Sequence, residues 1–130
     1  MKLQVKNLSK TFKTSNSNKF EYITAIENID LTIKDGEFVS IVGPSGCGKS
    51  TLLNILAGLD KPTEGEIILN GHEIDGTGPD RIMVFQENAL FPWLKVIENV
   101  EFGLKIAGLQ KDKRRHIAFA HLETMQLTKF

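Results

Sequence analysis

Apolar and polar positions alternate from the start of the chain. In "KLQVKNL", Leu3 and Val5 stand two apart, the spacing of a strand with one covered face. "TSNSNK", residues 14–19, is small and polar and predicts a loop. "AIENIDLTI" alternates Ile29, Leu31 and Ile33 with polar residues, a second strand with one wet face, and Asp35-Gly36 then turns the chain. The pattern changes in "EFVSIVG". Phe38, Val39, Ile41 and Val42 are nearly continuous there, which predicts a strand covered on both faces, as in a parallel sheet.

From Lys49 the period lengthens. Leu52, Leu53, Leu56 and Leu59 fall at helical spacing, with Gly58 and Pro62 as stop signals. "EIILNGHEI" predicts a hairpin about Asn70-Gly71, and "RIMVFQ" another short apolar strand. "LFPWLKVIENVEFGLKIAG" turns helical after its proline, with Val96, Val100 and Leu104 in step. "KDKRRHIAFAHLETMQL" puts Ala118, His121, Leu122 and Met125 on one helical face. Antiparallel strands, then strand, glycine loop and helix, then helices predict an α/β core with an antiparallel β flap and a helical appendage.

Composition narrows the field. The 130 residues suit one domain with a core, and 16 cationic against 16 anionic side chains give no electrostatic footprint for nucleic acid. The run "KDKRR", residues 111–115, reads as a solvated helix start rather than a nucleic-acid patch. A hydrophobic fraction of 41% suits a soluble globular protein. No apolar run approaches the ~18 residues of a membrane helix, and "MKLQVKNLSK" has no apolar region of the kind a signal peptide carries. Cys47 is the one cysteine, which excludes an internal disulfide and fits a reducing compartment. His72, His116 and His121 lack metal-ligand spacing, so no zinc site is expected, nor a Ser-His-Asp or Cys-His arrangement.

The chemistry concentrates in "GPSGCGKST". Gly43, four residues, Gly48, Lys49 and Ser50 form the pattern G-x-x-x-x-G-K-[ST]. A phosphate chain is crowded by anionic oxygens, so backbone N–H groups surround it only where few Cβ atoms intrude. Gly43, Gly46 and Gly48 leave that room, and Pro44, Ser45 and Cys47 complete the loop. The loop runs into a helix whose first N–H groups are free and electropositive. Lys49 would add a point charge at the β- and γ-phosphates. The Ser50 hydroxyl would take a position on Mg²⁺, and Thr51 would meet the α-phosphate. Cys47 occupies a free position of the pattern and reads as a small filler.

Two stretches in order, "GPSGCGKSTLLNILAGLDKPTEGEI" and "MVFQENALFPWLKVIENVEFGL", carry a family resemblance. The chain resembles the N-terminal half of the ATP-binding subunit of ABC transporters. Its "LFPWL" portion resembles the branch serving nitrate, sulfonate and taurine importers. The resemblance implies a P-loop NTPase (RecA-like) α/β core, an N-terminal antiparallel β subdomain and the start of a helical subdomain. Residues 1–130 would be the N-terminal portion of a nucleotide-binding domain, with Walker A and Q-loop present. No LSGGQ-like signature, no apolar run ending in Asp-Glu and no switch histidine is found, so the chain reads as truncated.

The resemblance also implies roles. Gln86 matches the Q-loop glutamine that meets Mg²⁺ and the attacking water, which makes Gln86 and Lys49 the catalytic pair and Ser50 and Gln86 the metal residues. Phe12, in "SKTFK", matches the aromatic that stacks on adenine, with Phe20 and Tyr22 as competitors. Leu90, Phe91, Pro92 and Trp93 would face a membrane permease. The cofactors would be ATP and Mg²⁺. The partners would be the permease and a second ATPase subunit in a homodimer, without nucleic acid. The place would be the cytoplasm, at the inner face of the membrane through the permease. The implied function is ATP binding and hydrolysis coupled to uptake of a small solute. A half-domain that binds nucleotide or a permease without turnover is the alternative. A P-loop kinase or GTPase is disfavoured by the Q-loop region and by the absence of N-K-x-D. A half-domain should leave strand edges unpaired, be marginal and aggregation-prone, and hydrolyse very weakly.

Overall fold

The computed structural model describes residues 2–16, 19–87 and 89–128. The chain forms two compact units, Met1–Val84 and Phe85–Phe130. The element order of the first is β1 (Leu3–Asn16), β2 (Lys19–Ile33), α1 (Lys49–Leu56), β3 (Glu64–Leu69) and β4 (His72–Glu73); the second holds α2 (Val96–Ile106) and α3 (Lys111–Thr124).

The strands form one antiparallel sheet in the order β2-β1-β3-β4. β1 and β2 pair from Leu3 with Ile33 to Asn16 with Lys19. Thr14 and Ser15, expected in a loop, therefore continue the strand, their short polar side chains sitting on the exposed end of a long hairpin. Ser17 and Asn18 of that expected loop lie outside the described residues. The β3–β4 turn at Asn70-Gly71 has φ of 53° and 85°, the left-handed pair that a two-residue turn matching the strand twist requires.

One face of this sheet is covered by α1. Val5, Leu8, Ile26 and Ile67 from the strands bury against Leu52 and Ile55 of the helix, with Leu8 and Ile55 almost fully enclosed. Each such side chain contributes about 1.5–3 kcal/mol relative to exposure. Leu53 and Leu59, at helical spacing in the sequence, stay about half exposed.

Two expected strands do not form. Residues 37–43 and 81–86 carry no strand pairing, and Phe38, Val42, Ile82 and Val84 are each at least 90% exposed. The reason is physical. A strand covered on both faces needs ladder partners at its sides, and among the described residues none pairs with these segments.

In the second unit, α2 and α3 pack together through Ala118 and Leu122 of α3. His121 and Met125, expected on that face, are exposed. Glu101 of α2 is buried, with its Oε1 3.0 Å from Arg115 Nη1 and Oε2 3.4 Å from Arg114 Nε. The run 111–115 is thus not wholly a solvated start: two of its cations neutralise the carboxylate that α2 buries. Asn99 fixes the segment before α2. Its Oδ1 accepts from Phe91 N at 2.8 Å, and its Nδ2 donates to the carbonyls of Phe91, Leu94 and Lys95. Among the described residues no helix is long and apolar enough to cross a membrane.

Candidate functional site

The sheet holds the glycine loop through one irregularity. β1 and β2 are in step from Asn16 back to Thr11, which opposes Thr24, and then Lys10 opposes Ile26. Ala25 is the extra residue of this bulge, and bulges re-aim a strand locally. The Ala25 carbonyl is turned against Gly48, where an added Cβ would run into it and would come 3.3 Å from Ile26 Cγ1. Gly48 has φ of 92° and is the N-cap of α1. Only glycine meets both demands. Gly43 is constrained from the other side, since a Cβ there would lie 2.7 Å from Cys47 Sγ. Gly46, with φ of 81°, faces open space.

The loop's donors converge. Among the described residues, the N–H groups of Gly46, Gly48, Lys49, Ser50 and Thr51 have no acceptor, and the Ser50 and Thr51 hydroxyls have no hydrogen-bond partner. Lys49 folds back over the loop, its Nζ donating to the carbonyls of Gly43 at 2.7 Å and Pro44 at 2.6 Å, with Cys47 Sγ at 3.7 Å. The ammonium and the free amides thus line the same short turn. The arrangement is a cradle for an anion: charge-assisted hydrogen bonds to it are stronger than those Lys49 makes to neutral carbonyls. Among the described residues, no three His, Cys, Asp or Glu side chains gather for a metal. The Ser50 hydroxyl at the head of α1 is the loop's own candidate oxygen ligand for a metal.

The three candidate aromatics separate by face. Phe12 opposes Ile23, whereas Tyr22 opposes Lys13 and Phe20 opposes Ser15. Strand alternation therefore puts Phe12 on one face of the hairpin and Phe20 and Tyr22 on the other. Lys10 shares the face of Phe12, and its ammonium reaches Asp60 and the Lys61 carbonyl just beyond α1. Phe12 is 39% exposed on this side, which is the side of the helix and loop. Phe20 and Tyr22 are exposed on the far side, with Lys13 Nζ 3.8 Å above the Phe20 ring.

Gln86 is the second residue of the second unit and is exposed. Leu90 and Trp93 are also exposed, and Phe91 lies against Trp93 and Phe102 with ring centroids 5.4 and 4.5 Å apart. Sequence reasoning missed the Asn99 clamp that holds this segment and the tie from Lys10 to Asp60. The first has no pattern in the sequence. The second had a weak one, a lysine two residues before an aromatic on a strand.

Residues 26–130 match the family model described as ABC transporter. The chain belongs to the ABC transporter family. Over its whole length it is 46% identical to an uncharacterized ABC transporter ATP-binding protein of Methanocaldococcus jannaschii, covering 47% of that protein. A taurine import ATP-binding protein of Pelagibacter ubique is 55% identical over 77% of the chain and 37% of its own length. A bicarbonate transport ATP-binding protein of Synechococcus elongatus is 47% identical over 95% of the chain and 18% of its own length. Among solved structures, a dimeric post-hydrolysis state of an ATP-binding cassette bound to ADP and Pi superposes with a TM-score of 0.78 at 40% identity. That match covers 93% of this chain and 56% of the cassette. The chain thus has the fold of an ABC ATPase cassette and spans about half of one. It spans less than half the length of these curated relatives.

Proposed function

We propose that this chain is the nucleotide-binding part of the ATP-binding subunit of an ABC importer for a small anionic or zwitterionic solute. The observation that carries the reading is the loop of unpartnered amides at the start of α1 with Lys49 folded over it. The relatives named for taurine and bicarbonate support the solute class, and the "LFPWL" stretch agrees with it.

The loop fits the phosphates of ATP. Gly43 and Gly48 keep the cradle clear of side chains, and the amides of Gly46, Gly48, Lys49, Ser50 and Thr51 would donate into it. Lys49, which donates to the carbonyls of Gly43 and Pro44, would turn to phosphate oxygens when ATP is bound. Ser50 would hold Mg²⁺ with its free hydroxyl and Phe12 would offer its ring to the base, while Gln86 would keep the role at the metal and water that the family resemblance implies. ATP, when bound, supplies the phosphoanhydride whose cleavage drives transport. We assign efficient hydrolysis to a whole cassette, paired with a second one as in the dimeric neighbour. Leu90, Phe91, Pro92 and Trp93 would dock on a membrane permease, which would place the subunit at the cytoplasmic face of the membrane.

The test is a calorimetric titration of the chain with Mg-ATP, beside Lys49→Ala. Binding weakened about 10- to 100-fold in the variant is the expected result, the scale of a hydrogen bond to a charged group. Equal affinity in both proteins, or heat from neither, would overturn the reading.

A further inference from the structure

We propose that Lys10 is a positioning residue for the base. Anchored by Asp60 and the Lys61 carbonyl beyond α1, it orients the Phe12 ring and makes it a better stacking surface for a purine. The proposal rests on the nucleotide reading of the loop and on Phe12 as its base platform.

Lys10 is not a solvated surface lysine. Its side chain is only 13% exposed. Its ammonium donates to Asp60 Oδ1 at 2.7 Å and to the Lys61 carbonyl at 2.6 Å. Two short acceptors just past α1 hold Nζ in one place. That place is 5.0 Å from the centroid of the Phe12 ring, over the ring, within the range of a cation–π contact. The two residues lie on one face of β1, two positions apart, so the contact is dictated by the strand period.

Two effects follow. A ring touched by a fixed cation has fewer orientations to lose when a base stacks on it. The cation also draws on the ring's negative face, and a purine, rich in π electrons, stacks better on a ring so depleted. Phe20 lies on the far face from the loop, with the exposed Lys13 above it, and among the described residues that lysine has no anchor like the one Lys10 has. The anchoring matters because Asp60 follows the helix whose first turn carries the phosphate loop. Base platform and phosphate cradle are thereby tied to the two ends of one short helix.

The experiment compares two ligands, Mg-ATP and inorganic tripolyphosphate with Mg²⁺, on the chain and its variants by calorimetry. Lys10→Met, which keeps an apolar stem, should weaken Mg-ATP about two- to fivefold and leave tripolyphosphate unchanged. Phe12→Ala should weaken Mg-ATP about tenfold, and adding Lys10→Met to it should cost nothing more. Lys10→Arg should restore most of the Mg-ATP affinity. Equal losses for both ligands would show a merely structural lysine and overturn the proposal, as would unchanged Mg-ATP binding in Lys10→Met. Mg-ATP binding unmoved by Phe12→Ala would overturn the platform itself, while tripolyphosphate binding and its loss in Lys49→Ala would still report on the phosphate loop. If Lys10→Met does not fold, Asp60→Asn, which removes the anchor and keeps the lysine, must give the same ligand split.

Discussion

The antiparallel sheet and residues 38–42 and 82–84 are written in similar apolar residues, yet they end in opposite states. Val5, Leu8, Ile67 and Leu69 of the sheet are buried, whereas Phe38, Val42, Ile82 and Val84 stand in solvent. The difference is not hydrophobicity. β1 finds β2 in the next segment of the chain, β3 finds β4 across a two-residue turn, and the two hairpins then join through the long-range β1–β3 ladder, so every strand of the sheet has a partner. The other two segments have the apolar runs of parallel strands, whose partners come from distant parts of a chain. Apolar side chains are buried only where the backbone beneath them is paired, because an unpaired N–H or C=O must stay with water.

The largest effect that tests this contrast is a pair of truncations. Leu8→Ala should destabilise the first unit by about 2–5 kcal/mol, the cost of a cavity at a fully enclosed site. Phe38→Ala removes a larger side chain and should change stability by less than about 0.5 kcal/mol. Urea denaturation followed by circular dichroism measures both. A Phe38→Ala loss as large as that of Leu8→Ala would mean that residues 38–42 are packed in solution, and the contrast would fail.

The same contrast explains what could be read from the sequence. The hairpins, α1, α2 and α3 were legible because their signals are local: period two about Leu3 and Val5, Asn70-Gly71, helical spacing after Lys49. The phosphate loop was legible for a stronger reason, since glycine spacing, lysine and hydroxyl are dictated by the ligand's shape. "EFVSIVG" and "RIMVFQ" were misread because their state depends on a partner strand, which their own residues cannot specify. The face of the hairpin that carries Phe12 was not legible either. The polar stretch 14–19 looked like a loop, and only the pairing of Phe12 with Ile23 and of Tyr22 with Lys13 divides the aromatics. The Ala25 bulge that presses on Gly48 leaves no mark in the sequence at all.

That bulge gives a second, smaller test, of whether the closed sheet holds the loop. Gly48→Ala forces a left-handed φ on alanine, which costs roughly 1–2 kcal/mol, and drives its Cβ into the Ala25 carbonyl. Gly46→Ala carries the same backbone cost with nothing within 4 Å of the added carbon. Gly48→Ala is expected to lose more stability than Gly46→Ala in the same urea titration and to lose Mg-ATP heat as well. Equal losses would mean that the sheet does not press on the loop, and the loop would then belong with the unpaired regions.

The smallest effect concerns the tie between the sheet and the far end of α1. The hydrogen bond from Lys10 holds the Asp60 carboxyl below its ordinary value of 3.8, helped by the backbone N–H of Lys61 and the Lys10 charge and opposed by desolvation. A carboxylate depressed in the folded state stabilises the fold above its ordinary value. That contribution is lost as pH falls through the lower folded value. The window is therefore below about pH 4. Asp60 is 35% exposed, so screening by water limits the contribution to roughly 0.5 kcal/mol or less. Wild type should lose that increment relative to Asp60→Asn between pH 5 and the acid limb of the urea midpoint, while Asp75→Asn serves as the control. Asp75 is depressed too, by its hydrogen bond from Lys61, but that pair is open to solvent and its removal should leave the acid profile unchanged. A flat difference between wild type and Asp60→Asn across that window would mean that Lys10 is held by the Lys61 carbonyl alone. The sheet would then be joined to the end of α1 without the charge pair, and the anchor proposed for Phe12 would rest on one hydrogen bond instead of two.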